Sequence, residues 1–154
     1  MSAIGRDAID IRRMTRSDID AILILVNKIT TAKTRVTYKE LAAYDLGGPL
    51  DFSLVAEAKG QIIGFVMARL EYVYIPFTEV CLIHAIVVDP EYQQHHIGSA
   101  LVNELSSRCH LQDINTLRAL VRQGDEMVRS FIKHLGFHRS NIINWDKTFE
   151  TWGD

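Results

Sequence analysis

The chain has 154 residues, a formal net charge of −2, and 47% hydrophobic and 23% charged residues. These values are typical of one compact globular domain over residues 1–154, and they argue against disorder, a fibrous chain or a broad basic surface for nucleic acid. Because no apolar run could span a bilayer and the first residues lack the plan of a signal peptide, we expect a cytoplasmic protein without a membrane partner.

The first third of the chain predicts one strand and two helices. Residues 8–14 alternate apolar and polar side chains, as a half-buried strand does. Thr15 or Ser17 can cap the helix that follows, and residues 38–44 predict a second, short helix.

The middle of the chain predicts three strands. Residues 52–58 and 61–74 read as strands joined at Lys59-Gly60, which is typical of a β-hairpin. Gly64 inside the second strand indicates a bulge or a close backbone contact. A third strand is expected over residues 78–88.

The last third alternates helices and strands. A helix from near Ile97 to His110 and a strand over residues 114–121 would complete a βαβ unit, whose strands run parallel. A helix over residues 125–135, ended by Gly136, would precede a final strand pair. We expect that pair at residues 137–139 and 143–151.

The junction between the third strand and its helix is a candidate anion site. The strand pattern stops at Asp89-Pro90, and the helical pattern starts near Ile97. The first amides of a helix lack intrahelical partners and carry partial positive charge, so they can bind a phosphate. Gly98 would allow close backbone approach, although a single glycine there can equally serve a turn or packing.

Two motifs resemble the GCN5-related N-acetyltransferase (GNAT) superfamily. The segment VVDPEYQQHHIGSALV is similar to the family's strand and acetyl-CoA pyrophosphate loop, Q/R-x-x-G-x-G/A, with Gln93 first and Gly98 last. The segment SFIKHLGF resembles the family's late helix and its turn. The resemblance implies an α/β fold with a mixed, mostly antiparallel central sheet, flanking helices and a parallel βαβ segment.

The resemblance also implies an acetyl-CoA-dependent N-acetyltransferase acting on a primary amine, with acetyl-CoA as acyl donor; the spacing of the histidines predicts no metal site. Pantetheine would lie beside the backbone of Ile86, Val87 and Val88. The pyrophosphate would lie in the loop formed by Gln93, Gln94, His95, His96, Ile97, Gly98 and Ser99. His96 departs from the pattern because the family usually has glycine there, so a positive φ would cost more in this chain.

His84 is the candidate general base. It precedes Ile86 by two residues on the strand that would pass the thioester, and an imidazole can accept a proton near neutral pH. His84-Ala85-Ile86-Val87-Val88 also resembles the pattern H-x-L-x-V of the arylalkylamine N-acetyltransferase branch. A strand histidine bonded within the sheet is the alternative reading, and Glu79 is the alternative base.

The general acid is harder to assign. Many family members have a tyrosine in the late helix, and the matching residue here is Ile132, which cannot donate a proton. Ser130 and His134 are substitutes nearby in sequence. This departure motivates an alternative function, a non-catalytic acyl-CoA-binding or regulatory module; a purely structural interaction domain would leave both motifs unexplained.

The remaining candidates are weaker. The six histidines show no metal-site spacing, and Cys81, in an apolar strand, is expected to be an inert free thiol like Cys109. The acceptor, a small-molecule or peptide amine, is not specified by the sequence. A homodimer is a family-level expectation.

Overall fold

The computed structural model describes residues 8–29, 38–72 and 79–149. The described residues fall into two compact units, one ending at Arg122 and the other starting at Gln123. The single domain expected over residues 1–154 stays a prediction.

The first unit is built on a mixed sheet with the strand order β1-β2-β3-β4-β5. Neighbouring strands are antiparallel from β1 to β4, whereas β4 and β5 are parallel. This arrangement confirms the predicted mixed, mostly antiparallel sheet with one parallel segment. The strands are β1 (Ile9–Arg13), β2 (Leu54–Ala58), β3 (Gln61–Tyr72), β4 (Glu79–Val88) and β5 (Leu117–Ala119).

The hairpin between β2 and β3 is confirmed at Lys59-Gly60. Both residues have positive φ, 51° for Lys59 and 76° for Gly60. A two-residue turn with both φ values positive matches the right-handed twist of the strands it joins. The turn therefore sets the register in which β2 and β3 pair.

One face of the sheet is covered by α1 (Ile19–Ile29) and α2 (Tyr38–Ala43). Their buried side chains form a core with Val55, Phe65 and Met67 of the sheet; the helix-side and loop members are Met14, Ile19, Ile22, Leu25, Val26, Leu41 and Leu46. Because strand residues alternate between faces, Gly64 and Val66 point the other way.

The opposite face is covered by α3 (Ile97–His110). A Cβ added to Gly64 would lie 3.1 Å from Ile97 Cγ2 and 3.5 Å from Leu101 Cδ1, both on α3. The close contact predicted at Gly64 is thus confirmed, and the pairing of β2 with β3 also shifts register beside it. Glycine suits this position because α3 lies close against the backbone of β3, so a larger residue would oblige its neighbours to shift.

The second unit contains α4 (Glu126–His134). The Asp125 side chain accepts a hydrogen bond of 3.1 Å from Val128 N at the start of α4. At its end Gly136 has φ 96°, and Phe137 N donates to Ile132 O at 3.1 Å. Left-handed glycine with this backward bond is a Schellman ending. The predicted late helix is confirmed.

Two strand predictions need correction. The strand predicted over residues 114–121 is only Leu117–Ala119, and residues 137–149 of the predicted final pair form no strand; residues 150 and 151 lie outside the described residues. An apolar alternation shows that a segment could be extended, but a strand also needs a partner for its backbone groups. Within the part described up to Phe149, these residues have no such ladder.

The helices within residues 8–29, 38–72 and 79–149 are all too short or too polar to cross a membrane.

An ion-pair network fastens the start of α1 to the sheet edge. Arg12 on β1 donates to both carboxylate oxygens of Asp18 at 2.9 Å and to Glu57 at 3.0 Å. Thr15 N also donates to Asp18, at 2.8 Å. Burial alone would raise the pKa of Asp18, but the hydrogen bonds from Arg12 and Thr15 outweigh it and hold that pKa below its usual value.

Asp18→Asn should lower the free energy of unfolding by about 2 kcal/mol at neutral pH, less than for a fully buried pair because the Arg12 side chain is 35% exposed. Because folding lowers the pKa of the Asp18 carboxyl group, its carboxylate stabilises the fold at pH values above about 4, the pKa in the unfolded chain. This stabilisation is lost as the pH falls through the lower pKa of the folded protein. Urea titrations should therefore show the two proteins converging below about pH 4. Asp20→Asn, at an exposed position two residues later, is the control; an equal loss in both variants would contradict this account.

Candidate active site

His84 occupies an irregular point of the sheet. Met67 pairs with Ala85, whereas the next residue, Ala68, pairs with Ile83. His84 is therefore the extra residue of a β-bulge in β4. A bulge bends its strand and redirects a side chain, and bulges are common beside active sites. The His84 side chain is 39% exposed, so its imidazole can reach a bound molecule.

The strands β4 and β5 separate at the same point. Their parallel pairing covers only Cys81 to Ile83 on β4. From Ala85 to Val88, β4 pairs with β3 on one side, and no strand of the described chain pairs with its other edge. Ile86 and Val87 are half-buried on this stretch. An open edge can accept the amide groups of an extended ligand as an added strand would.

The segment after β4 forms a short 3₁₀ helix, Pro90–His95, where the sequence predicted a loop. Proline at the first helical position and the Asp89 side chain, which accepts from Glu91 N at 3.0 Å, explain why the chain turns there. The 3₁₀ helix leads directly into α3.

His96 joins the two helices in a left-handed conformation, with φ 59° and ψ 30°. The sequence analysis identified this residue as one where a positive φ would be costly, and the chain adopts that φ with a histidine. The side chain of His96, the N-cap residue, does not cap the start of α3. The first amides of α3, at Ile97, Gly98 and Ser99, are consequently left for a ligand or for water.

The approach to α3 is also tied to α1. Lys28 Nζ lies 3.1 Å from each carboxylate oxygen of Asp89. The hydrogen bond with Asp89 raises the pKa of the exposed Lys28, so the ammonium stays charged. Asp89 N donates to Ile63 O at 2.8 Å, which holds the end of β4 against β3.

Two side chains surround the His84 imidazole. The Tyr44 ring meets it edge to face, with centroids 5.6 Å apart and an interplanar angle of 83°. Glu71 Oε1 lies 3.9 Å from His84 Nε2. Burial raises the pKa of Tyr44, so its phenol stays neutral, and its ring forms a wall of the site. The imidazole is thus oriented by an aromatic ring and faces a carboxylate.

Within the first unit, the other candidates do not join this cluster. Cys81 and Cys109 are free thiols, 0% and 1% exposed, and contact with Cys109 together with burial raises the pKa of Cys81, so the Cys81 thiol is inert. Glu79 pairs with Tyr72, the residue that follows Glu71 on β3. Because adjacent residues of a strand point to opposite faces and paired residues share a face, Glu79 lies on the other face of the sheet from Glu71. Ile132 lies in α4.

For metal binding, the described stretches contain no group of three or more His, Cys, Asp or Glu side chains placed to hold an ion.

Sequence reasoning missed Glu71 and Arg69. Both lie on β3, and Arg69 is placed 4.0 Å from Glu71 Oε1 and over the Tyr44 ring, 5.8 Å from its centroid. Two charges at alternate positions near the end of a long strand were the available signal. Their proximity to His84 depends on strand register and on the bulge, which the sequence does not display.

The arrangement so far combines an open strand edge, an uncapped helix start and an oriented imidazole. The profile of the "Acetyltransferase (GNAT) family" matches residues 21–137. The chain belongs to this family. The match covers most of the chain and confirms the resemblance read from the two sequence motifs.

Individual proteins agree with the family match. An uncharacterized N-acetyltransferase of Methanocaldococcus jannaschii is 26% identical over 140 residues, which are 86% of this chain. The matched region spans only 62% of that relative's length.

Solved structures share the fold. Aminoglycoside 6′-N-acetyltransferase AAC(6′)-Ih from Acinetobacter baumannii superposes with a TM-score of 0.76 at 18% identity, covering 92% of this chain and 99% of that one. Aminoglycoside N-acetyltransferase AAC(6′)-Iy in complex with CoA gives 0.75 at 17% identity, covering 91% and 94%. At such identities the likeness concerns the fold.

The left-handed His96 generates a stability prediction. His96→Gly should raise the free energy of unfolding by about 1 kcal/mol, because glycine adopts this φ without the Cβ clash. His96→Ala keeps the Cβ and should stay within about 0.5 kcal/mol of the parent protein. Chemical denaturation of the three proteins measures both values. A glycine variant no more stable than the alanine variant would contradict the strain inferred at this residue.

Proposed function

We propose that the chain transfers an acetyl group from acetyl-CoA to a primary amine. Family membership supports the reaction class, and the described residues offer a surface for the donor and a candidate base. The observation that carries the proposal is the combination of an open β4 edge beside His84 with an uncapped start of α3. Both lie at the end of β4, within one continuous segment of chain.

The donor would be bound mainly by backbone groups. The exposed edge at Ile86, Val87 and Val88 suits the two amides of pantetheine, because a strand edge presents alternating donors and acceptors. The amides that begin α3 suit the pyrophosphate, since they combine free N–H groups with the positive end of the helix dipole. The approach to these amides comprises Gln93, Gln94, His95 and His96, and the amides belong to Ile97, Gly98 and Ser99.

The chemistry assigned to His84 is proton acceptance. Acetyl-CoA supplies an activated thioester carbonyl. The neutral amine nitrogen forms a bond to that carbon, the carbon–sulfur bond breaks, and the sulfur leaves with the bonding electron pair. His84 takes the proton lost by the amine, and solvent returns a proton to the thiolate, so the products are an amide and CoA with its thiol restored. Positioning the two reactants supplies a further part of the acceleration.

The acceptor is proposed only as a primary amine. The structural neighbours named above act on aminoglycosides by their names, so amino sugars belong in a test panel together with small amines and peptides. Fold does not choose among these acceptors. The cytoplasmic location and the homodimer remain predictions.

An acyl-CoA-binding module without turnover is the second candidate. Ile132 favours it, because this side chain has no proton to give where many family members have a tyrosine. Release of free thiol from acetyl-CoA, measured with the amine panel, distinguishes the two functions. Amine-dependent release supports the transferase. Acetyl-CoA binding without release from any amine supports the binding module.

His84→Ala should lower kcat/KM for acetyl transfer about a hundredfold, in the range typical of a lost general base, and leave the Kd for acetyl-CoA within twofold. The loss should be largest at neutral pH and should diminish under alkaline conditions, where more of the amine is already deprotonated. Thiol release and calorimetry measure the two quantities.

The matched control is His110→Ala. His110 is an exposed histidine at the end of α3, where its Nδ1 lies 3.0 Å from Asn115 Oδ1. This variant should retain parent activity. Equal activity of the His84 variant and the parent across the pH range would remove His84 from the base role.

A further inference from the structure

A closed ring of four side chains lies on the sheet face that α1 and α2 cover. Arg69 and Glu71 are alternate residues of β3 and therefore share a face. Their partners on β4 are Leu82 and Val80, and the bulge brings His84 to the same group. Tyr44 follows the end of α2 and completes the ring.

The contacts around this ring are charged or aromatic at every step. Tyr44 packs against His84 at 5.6 Å between ring centroids, and His84 Nε2 lies 3.9 Å from Glu71 Oε1. The same oxygen of Glu71 lies 4.0 Å from Arg69 Nε. Arg69 returns to the face of the Tyr44 ring at 5.8 Å, which is cation–π distance.

The Glu71 carboxylate is held at this point without being closed off. Both of its ion-pair distances exceed the usual hydrogen-bond length of about 2.7–3.2 Å. Its side chain is 41% exposed, and those of Arg69 and His84 are 33% and 39% exposed. An incoming donor group can therefore approach the carboxylate beside the imidazole.

We infer that Glu71 binds the ammonium group of the acceptor beside His84. This inference rests on the proposed function, and it names the acceptor as an amine that arrives protonated. A carboxylate attracts an ammonium through charge-assisted hydrogen bonds. The imidazole of His84, 3.9 Å from Glu71, is then the group positioned to accept the proton that the ammonium must lose before attack. The imidazole passes this first proton to solvent and is neutral again when the attacking amine loses its second proton.

Arg69 and Tyr44 define the specificity of this subsite. Arg69, whose Nε lies 4.0 Å from Glu71 Oε1, repels a second cation, while the Tyr44 ring closes one side of the imidazole. The subsite therefore favours an amine attached to an uncharged carbon skeleton at the reacting end.

The experiment measures binding of one simple cation. Butylammonium is titrated into protein that is saturated with CoA, which has no acyl group to donate, and the imidazole resonances of His84 are followed by NMR. Butan-1-ol, which is neutral and similar in shape, is titrated in parallel. The variants are Glu71→Gln, which removes the charge with little change of shape, and Glu79→Gln, which makes the same change on the opposite face of the sheet.

We expect butylammonium to shift the His84 resonances in the parent protein and in Glu79→Gln, with butan-1-ol shifting them far less. Glu71→Gln should weaken butylammonium binding about tenfold. In turnover with an active amine, the same variant should raise KM by a similar factor and change kcat less than threefold.

Equal butylammonium affinity in Glu71→Gln and the parent protein would overturn the inference, as would butan-1-ol binding as well as the cation. Absence of any shift in the parent protein would overturn it too. If the cation binds through Glu71 but no amine releases thiol from acetyl-CoA, the transferase proposal fails and the assignment of an acceptor amine fails with it. The binding and turnover readouts therefore separate failure at Glu71 from failure of the proposed reaction.

Discussion

The close approach of α3 to β3 at Gly64 is the contact on which the site depends. Gly64 pairs with Val88, the last residue of β4, and its Cα lies against Ile97, the first residue of α3. One small residue therefore joins the end of the central strand to the start of the helix that follows it. A Cβ at residue 64 would lie 3.1 Å both from Ile97 Cγ2 and from Val87 O, so both neighbours would have to shift by a few tenths of an ångström.

This contact places the two backbone-built parts of the proposed donor site at a fixed separation. The open edge of β4 and the free amides of α3 are connected by residues 89–96, a segment bent by a 3₁₀ helix and by the left-handed His96. The Lys28–Asp89 ion pair and the Asp89–Ile63 hydrogen bond secure the start of that segment. Backbone geometry thus dominates the donor side of the site, and the chain accepts a strained histidine to obtain it.

The proposed acceptor side is organised differently, by side chains. The bulge turns His84 out of the regular alternation of β4, and Arg69 and Glu71 of β3 lie beside its side chain. Tyr44 reaches the same point from the end of α2, so the helical face of the sheet contributes a wall. The two sides of the site consequently meet at β4, the strand that carries both the open edge and the imidazole.

Local signals predicted most of the fold. Lys59-Gly60 identified the hairpin, Gly64 the close contact, and Asp125 with Gly136 the two ends of α4, because each of these residues acts through its own backbone conformation or immediate neighbours. The prediction of a final strand pair was wrong because strand formation depends on a distant partner, which an alternating pattern does not reveal. Glu71 and Arg69 were missed for a related reason. Their proximity to His84 depends on the nine residue pairs between β3 and β4 and on the register shift within that pairing.

The most direct test of the account is NMR of ¹⁵N-labelled protein titrated with acetyl-CoA and, separately, with acetylpantetheine, which lacks the pyrophosphate. The account predicts that acetyl-CoA shifts the backbone amides of Gly98 and Ser99 together with those of Ile86 to Val88, whereas acetylpantetheine shifts only the β4 amides. Saturation with acetyl-CoA that leaves the Gly98 and Ser99 amides unmoved would contradict the central claim that the start of α3 binds the donor's pyrophosphate.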